Sequence, residues 1–210
     1  MLHFRAAPSP AEQASGIIPA TDAHIAGMLA AQEYCSLAAK LETGVPVTDI
    51  ERGGFLVHLL TDVDFKEIVT NPDVISRVHL DPAGEVDAYA ICYPLPVWNE
   101  ENPSWLGSIA FHEGVAPGPK AEETILFRYV ATGPNAAAGV GIGMTSTLVE
   151  SYGRQGYKAV YGETLRSPYY NRPANLIHSR RIGMENAGRI LEPRDGQTFD
   201  WTVYRKTFAD

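Results

Sequence analysis

The sequence predicts a mixed α/β domain of three layers, in which helices cover both faces of one sheet. Segments rich in β-branched and aromatic residues alternate with amphipathic segments along the 210 residues. The composition is 45% hydrophobic, which is typical of a chain that buries a core. A Gly-rich junction at 138–143 links a strand-like run to a helix-like run. We therefore expect a single domain over 17–210, preceded by an N-terminal extension at 1–16 that contains Pro8 and Pro10.

The N-terminal half is predicted to begin with a long helix. Thr21 or Asp22 supplies its cap, and the helix is expected to continue to about Lys40, before Gly44 and Pro46 break the pattern. The elements expected next are a short apolar stretch, a short helix and the two strands of a hairpin: Phe55–Leu60, Asp62–Val69, Val74–Leu80 and Val86–Tyr93.

The C-terminal half continues the alternation of strands and helices. Its apolar runs change between the spacing of a buried strand and the spacing of an amphipathic helix. The predicted elements are a central strand, a helix, a second strand, a second helix and a closing antiparallel pair: Thr124–Thr132, Met144–Gly153, Tyr157–Leu165, Ala174–Ile182, and Gly188–Glu192 with Phe199–Thr207.

The Gly-rich junction, Ala138–Gly143, is typical of an anion-binding site. Glycines let successive backbone N–H groups converge, and the following helix adds its first-turn N–H groups and the positive end of its dipole. A Walker loop requires Lys and then Ser or Thr after its last glycine, but Met144 and Thr145 stand there. A dinucleotide fingerprint started at Gly139 places Met144 at its third glycine, so it fits less well. The remaining pattern is x-G-x-G-x-G before a helix.

That pattern, Ala138-Gly139-Val140-Gly141-Ile142-Gly143, resembles the pyrophosphate loop of the GNAT superfamily of acyl-coenzyme A-dependent N-acyltransferases. The family usually has Arg or Gln where this chain has Ala138. Four other segments resemble family segments in the same order along the chain: Ile17–Asp22, Asp87–Ala90, Gly156–Val160 and Asn171–Met184. The resemblance implies a GNAT-like fold, with a central mixed twisted sheet whose two parallel strands splay apart between flanking helices. It also implies acetyl-CoA or another acyl-CoA as cosubstrate, and no metal.

The resemblance further implies where the cofactor binds. The splayed strands would be Thr124–Thr132 and Tyr157–Leu165, and a backbone N–H near Val130 would face the thioester oxygen. Either Asn171 or Asn175 resembles the Asn with which the family contacts its cofactor. The candidates to replace the charge missing at position 138 are Arg172, Arg180 and Arg181. The full set of predicted cofactor-binding residues is Val130, Ala131, Ala138, Gly139, Val140, Gly141, Ile142, Gly143, Met144, Thr145, Asn171, Asn175, Ser179 and Arg181.

The resemblance places the general acid at Ser179, four residues before the equivalent of the family's Gly-Phe, where Tyr is common. A thiol titrates near pH ~8.5, so a thiolate can leave without a strong acid, and Ser179 would then only hydrogen-bond the sulfur. His178, Tyr169 and Tyr170 are the alternative donors, each with a structural role as the competing interpretation.

The first candidate for the general base is Glu163. It shares its alternation with Ala159 and Tyr161, which is expected to turn its carboxylate toward the cleft, where it would take a proton through water. The competing interpretation is an ion-paired glutamate near the end of a strand. His112 is the second candidate, followed by Glu123.

The long segment from Pro94 to Lys120 contains five prolines and is predicted to be a functional or loose insertion loop. Its aromatic residues lie among carboxylates, a composition suited either to wall an amine pocket or to pack on another subunit of a homodimer. The predicted substrate-binding residues are Trp98, Trp105 and Phe111, beside Glu100, Glu101 and Glu113.

Charge is distributed unevenly along the chain. Residues 1–120 carry 6 basic and 16 acidic side chains, whereas residues 121–210 carry 11 and 9. A polyanionic cofactor on the second half and a cationic amine on the first suit this layout, as do simple solvated faces.

The acidic net charge argues against nucleic acid as a partner. No apolar run predicts a membrane span or signal peptide, so we expect a cytoplasmic protein. Cys35 and Cys92 are expected to be buried free thiols.

The sequence therefore predicts an N-acyltransferase that moves an acetyl or short acyl group from acyl-CoA to a primary amine by direct attack in a ternary complex. One alternative is acyl transfer from a carrier-protein thioester or an aminoacylated donor, which a glycine loop without its Arg would tolerate. The other is a non-catalytic domain that binds acyl-CoA, since no base is obvious.

Overall fold

Eight strands form one mixed sheet at the centre of the domain. The computed structural model describes residues 8–194 and 196–209. The strands are β1 (Ile17–Pro19), β2 (Ile75–Leu80), β3 (Val86–Pro94), β4 (Ala110–Phe111), β5 (Thr124–Thr132), β6 (Ala159–Ser167), β7 (Glu185–Arg194) and β8 (Gln197–Thr207). Their order across the sheet is β1-β2-β3-β5-β6-β8-β7-β4. Only β5 and β6 pair in parallel among these strands; the other neighbours are antiparallel.

Helices pack on both faces of this sheet. They are α1 (Pro10–Ala14), α2 (Ile25–Cys35), α3 (Leu37–Glu42), α4 (Val47–Gly53), α5 (Asp62–Thr70), α6 (Leu95–Glu101), α7 (Val140–Arg154) and α8 (Arg172–Leu176), which continues into a π-helical turn, Ile177–Arg181. Along β3, Ala88 and Ala90 pack into a core with α7, whereas Tyr89 and Ile91 pack into a second core with α2 and α5. The three-layer mixed α/β prediction is confirmed.

Most of the predicted strands form as expected. The central strand β5 has the predicted bounds, β2 and β3 form the predicted hairpin, and β7 pairs with β8 as the closing antiparallel pair. The sequence identifies such segments well, because a strand covered on one face has alternating apolar residues and a strand covered on both faces has a continuous apolar run.

The predicted first helix is broken in two at Ser36. The amide of Leu37 donates to the carbonyl of Leu56 at 2.9 Å, and the amide of Leu56 donates to the carbonyl of Cys35 at 2.7 Å. These bonds hold Ser36 in an extended conformation, where its hydroxyl caps α3 by accepting from the amide of Ala39. A partner distant in sequence therefore decides the break, and α4 follows where no helix was predicted.

Part of the predicted N-terminal extension is packed into the domain. Helix α1 lies against α7, and the carboxylate of Glu12 is buried. Its two oxygens accept from Nε of Arg77 and from the hydroxyl of Ser151, both at 3.1 Å. A buried charge requires such partners. Residues 8–16 of the predicted extension therefore pack against the domain, and the remainder, 1–7, lies outside the described residues.

The segment 94–120 is also more ordered than the predicted loop. It contains α6 and β4, and it covers one end of β5 and β6 with a small core built around Trp105 and Tyr161, whose ring centroids are 5.8 Å apart. The prolines that suggested a loop stand where they suit this structure, since Pro94 precedes α6 and Pro96 lies in its first turn.

Candidate functional site

The parallel strands β5 and β6 separate halfway along their length. They pair from Thr124 with Ala159 to Phe127 with Gly162, and beyond that point both strands continue without pairing to each other. Arg128 is the extra residue of a β-bulge, because Phe127 and Tyr129 face consecutive residues of β3. The bulge and the loss of pairing open a V-shaped gap in the middle of the sheet.

Two adjoining cavities run through this gap. The strand-gap cavity has an empty volume of about 630 Å³ and reaches Arg128, Glu163 and Trp201. The glycine-loop cavity, of about 580 Å³, reaches Gly141 and Thr145 at the start of α7. Five residues line both cavities and join them into one cleft: Phe55, Val130, Asn171, Ala174 and His178.

The glycine junction at the outer end of the cleft has the geometry of an anion cradle. Gly139 adopts φ = 91°, a left-handed conformation that favours glycine, and α7 begins at Val140, earlier than predicted. A Cβ on Gly143 would meet no atom within 4 Å. The amides of Gly141 and Ile142 find no backbone acceptor among the described residues, as at any free helix N-terminus. These donors and this open space fit a phosphate group.

The inner end of the cleft contains an ion pair between Arg128 and Glu163. Both side chains are largely buried, with 14% and 8% of their surface exposed. The second carboxylate oxygen of Glu163 accepts from the indole N–H of Trp105, and the guanidinium of Arg128 lies 5.0 Å from the ring centroid of Trp98. Both oxygens of Glu163 are therefore engaged by donors within the protein, as expected for a structural ion pair.

His178 lies in the wall shared by the two cavities. Its Nδ1 is 2.7 Å from the carbonyl oxygen of Ala174, and its ring stacks on Tyr204 with centroids 5.5 Å apart. Burial lowers the pKa of the imidazole, and the bond to the Ala174 carbonyl opposes that shift only in part. His178 is therefore neutral near pH 7.

His58 lines the inner end of the cleft and stacks on Trp201 with ring centroids 5.6 Å apart. Burial lowers the pKa of His58, the charge of Arg128 lowers it further, Glu192 opposes the shift and Arg194 adds to it. Nδ1 of His58 lies 3.2 Å from a guanidinium nitrogen of Arg194, so this ring nitrogen accepts a hydrogen bond.

Solved structures of known proteins share this arrangement of strands and helices. A ribosomal-protein-alanine N-acetyltransferase from Brucella melitensis aligns with a TM-score of 0.60 at 16% identity, covering 91% of this chain and 99% of that one. A GCN5-related N-acetyltransferase from Kribbella flavida aligns at 0.55 and 17%, covering 91% and 96%. This chain has the GNAT fold. The structure of yncA from Salmonella typhimurium with its cofactor acetyl-CoA aligns at 0.59 and 15%, covering 92% and 94%.

No protein-family model matches the sequence, and no curated protein matches it. Identities of 11–17% among these structural neighbours establish the GNAT fold and not the substrate. The splayed parallel strands implied by the sequence resemblance are present, with the bounds of β5 as predicted.

Some predicted cofactor-binding residues reach the cleft of this GNAT fold and others do not. Val130, Gly141, Thr145 and Asn171 line it. Ala131 and Met144 are buried in the two cores instead. The residues at the surface around the start of α7 are Ala138, Gly139, Val140, Ile142 and Gly143, of which Ala138, Gly139 and Gly143 are exposed.

The structure separates the two candidate asparagines. Asn171 lines both cavities and donates to the carbonyl of Phe55 at 2.8 Å. Asn175 does not line the cleft: its side-chain oxygen accepts from the hydroxyls of Thr164 and Tyr204, and its amide donates to the carbonyl of Asn171. It is a structural residue that ties α8 to β6 and β8. The predicted candidates Arg172, Arg180 and Arg181 are exposed and line neither cavity.

Four of the candidate catalytic residues lie outside the cleft. The hydroxyl of Ser179 is bound to the carbonyl of Asn175 at 2.7 Å. Tyr170 is 40% exposed and donates its amide to Glu51. His112 lies at the β4 edge of the sheet, where Nε2 is 3.1 Å from the side-chain oxygen of Asn186. Glu123 precedes β5, at the end opposite the gap. Of the predicted bases only Glu163 reaches the cleft, and there it has the ion-paired role.

The predicted substrate-binding aromatics have different positions. Trp105 is buried and contacts the cleft only through its bond to Glu163, while Phe111 pairs with Gly188 at the β4 edge. Trp98 and Glu101 line a separate groove between α5 and α6. Trp98 and Trp105 of this segment therefore contact the Arg128–Glu163 ion pair, but they do not line the strand-gap cavity.

Sequence reasoning missed the residues that close the cleft from the side of α4 and β8. Phe55, Val57 and His58 belong to the segment after α4, and Trp201 lies in β8. The sequence predicts Phe55–Leu60 only as an apolar stretch, and its irregular backbone offers no periodicity to identify a site.

Within the described residues, no group of three or more His, Cys, Asp or Glu side chains is placed to hold a metal ion. In the same residues, no helix has the length and apolarity to cross a membrane.

Proposed function

We propose that this protein is an N-acyltransferase that transfers an acetyl or other short acyl group from acyl-CoA to a primary amine by direct attack in a ternary complex. The observation that carries the proposal is the continuous cleft from the glycine junction to the gap between β5 and β6. Enzymes gain much of their rate by holding two reactants in line, and this gap offers a defined space in which a thioester and an amine would meet.

The residues present fit an acyl-CoA cosubstrate along the whole cleft. The first turn of α7 offers free amides and an open space at Gly143 for the pyrophosphate. The unpaired edges of β5 and β6 offer backbone donors and acceptors for the amides of the pantetheine arm, as a strand edge does for a peptide. Bound acyl-CoA would supply an activated carbonyl carbon, and the backbone near Val130 would hold its oxygen.

The acceptor amine would enter at the inner end of the cleft, beside His58 and Trp201. This end has an aromatic and apolar wall with one compensated ion pair, Arg128 with Glu163, so it suits an acceptor with an apolar body.

A second donor class is supported by one observation. No Lys or Arg side chain lines the glycine-loop cavity among the described residues, and position 138 is Ala. A donor thioester on a carrier protein, which shares the pantetheine arm and lacks the adenine nucleotide, would need no such charge.

Binding measurements separate the two donors and test the proposal. The melting temperature should rise with coenzyme A or acetyl-CoA, because any ligand of the native state stabilises it. A shift with coenzyme A much larger than that with pantetheine supports the CoA donor, and equal shifts support a carrier protein. No shift with either ligand at millimolar concentration would exclude both. A mass-spectrometric screen of primary amines with acetyl-CoA then tests turnover, and binding without turnover would favour a non-catalytic domain.

A further inference from the structure

A π-helical turn decides which side chain of the last helix faces the gap between β5 and β6. The amide of Ile182 donates to the carbonyl of Ile177 at 2.9 Å, five residues back, so the turn contains one residue more than an α-helical turn. Counting four residues back from Gly183 along an α-helix gives Ser179, but the extra residue moves the facing position to 178. Ser179 is turned outward and exposed, whereas His178 is buried and lines the cleft.

The protonation pattern of the His178 ring follows from its partner. A carbonyl oxygen can only accept, so the 2.7 Å contact with Ala174 requires the proton on Nδ1. Nε2 of the neutral ring then carries the lone pair. Among the described residues Nε2 has no hydrogen-bond partner, and it is not one of the buried polar atoms sealed from solvent. The ring therefore presents an acceptor, and not a donor, to the cleft.

The ring is held firmly at the point where the strands part. A Cβ on Gly162 would lie 2.6 Å from Nε2, so the imidazole sits directly over the last residue of β6 that pairs with β5. Tyr204 stacks on the face of the ring, and its hydroxyl is anchored to Asn175 at 2.9 Å. A catalytic group needs this kind of fixed orientation to act efficiently.

We propose that Nε2 of His178 is the general base of this protein, taking the proton from the amine that attacks the thioester. This inference rests on the proposed acyltransferase function and names the residue that the sequence left undecided. It departs from the sequence prediction in two respects, since Glu163 is engaged with Arg128 and Trp105, and Ser179 is bound to Asn175.

The proton balance of the step is simple. The amine nitrogen forms a bond to the acyl carbon, and the carbon–sulfur bond breaks with its electron pair leaving on sulfur. Nε2 of His178 takes the proton that the nitrogen loses, while Nδ1 keeps its own proton on the Ala174 carbonyl. The imidazolium then returns the proton to the thiolate, whose conjugate thiol has a pKa of about 8.5 when unperturbed, so the ring ends neutral. The products are the amide and the free thiol.

The groups around the ring favour the neutral form at the start of the step. Among the described residues the ring contacts Tyr204, the backbone of Gly162 and the Ala174 carbonyl, and none of these three groups carries a charge. The ion pair of Arg128 and Glu163 lines the same cavity and has no net charge. Burial is the largest cause of the lowered pKa of His178.

Nitrogen-15 NMR of the histidine rings tests the tautomer without any reaction. In the full chain without ligand, the His178 ring should show the tautomer protonated at Nδ1 and should titrate below about pH 6.5, the ordinary value. Its resonances should shift when coenzyme A is added. A ring protonated at Nε2, or a pKa at or above the ordinary value, would overturn the proposal.

Kinetics with an acceptor from the amine screen test the role itself. His178→Gln should lower kcat about 100-fold or more, the usual contribution of a general base, and should remove the acidic limb of the pH profile. The coenzyme A-induced melting shift of this variant should persist, which separates failure of the base assignment from failure of the cofactor assignment. Unchanged kcat, or a larger loss in Ser179→Ala than in His178→Gln, would overturn the proposal.

A second variant covers the case in which His178→Gln does not fold. In Gly162→Ala the added Cβ would lie 2.6 Å from Nε2 of His178, so the ring must move away from its present position. The variant still contains the imidazole itself. It should lower kcat with a smaller effect on the KM for acyl-CoA. Wild-type kcat in a folded Gly162→Ala protein would contradict the required ring position.

Discussion

Arg128 and Glu163 form an ion pair across the gap between β5 and β6, each one residue beyond the last paired residues, Phe127 and Gly162. Side chains thus bridge the two strands on one face at the position where backbone pairing stops. On the opposite face, His178 packs over Gly162. The gap is therefore held at a defined width at its closed end, and the cleft opens from there toward the glycine junction.

The ion pair makes a prediction about stability. Glu163→Gln should lower the free energy of unfolding by about 3–5 kcal/mol, because removing one partner of a buried pair leaves the charge of Arg128 uncompensated. Urea unfolding measures the change. Glu150→Gln is the matched control, since Glu150 and its partner Arg154 are exposed and 3.8 Å apart, and it should change stability by less than about 1 kcal/mol. Equal, small effects of the two substitutions would contradict the structural role of Glu163.

The glycine junction makes a prediction about ligand binding. Gly143→Ala should leave the melting temperature of the free protein unchanged or slightly raised, because its Cβ meets no atom within 4 Å and Ala favours a helix. It should reduce the coenzyme A-induced shift, since the added methyl group occupies the space expected for phosphate. Gly107→Ala, which also meets no atom within 4 Å, is the control outside the cleft. A coenzyme A-induced melting shift in Gly143→Ala as large as in the wild type would show that the phosphate does not bind at this position.

The missing charge at position 138 makes a prediction about affinity. Ala138 is exposed immediately before the helix cap Gly139, and Ala138→Arg should strengthen coenzyme A binding by about 1–3 kcal/mol through a charge-assisted contact. Isothermal titration calorimetry gives the dissociation constants. Ala137→Arg adds the same charge one exposed position away and should give a smaller gain. Affinity unchanged by Ala138→Arg would favour a donor without a pyrophosphate.

The buried imidazole of His178 makes a prediction about pH. Its pKa is lowered by burial, so below about pH 6.5 the unfolded chain binds more protons than the folded chain, and stability falls as pH decreases. The loss of stability begins as pH falls through the pKa of this histidine in the unfolded chain. It is complete below the lower pKa that His178 has in the folded chain. His178→Gln should flatten the acid side of a plot of unfolding free energy against pH. His112→Gln, at an exposed histidine, is the control. The same slope in His178→Gln and wild type would show that another group causes the loss.

The sequence by itself determined the order of the elements and the identity of the glycine junction. The bounds of β5, the hairpin of β2 and β3, and the closing pair of β7 and β8 follow from apolar alternation, which is a local property. The GNAT resemblance predicted the splayed strands, because glycine spacing and a strand-to-helix junction are also written in consecutive residues.

Only the tertiary structure decided which side chains meet in the cleft. The break at Ser36 depends on Leu56, the engagement of Glu163 depends on Trp105 and Arg128, and the choice of His178 over Ser179 depends on one extra residue in a helical turn. Each of these outcomes is set by a partner distant in sequence or by a rotation of about 100° or less around a helix axis, to which a residue pattern is insensitive. The sequence therefore predicted the glycine junction and the splayed strands, and packing determined which side chains line the cleft between them.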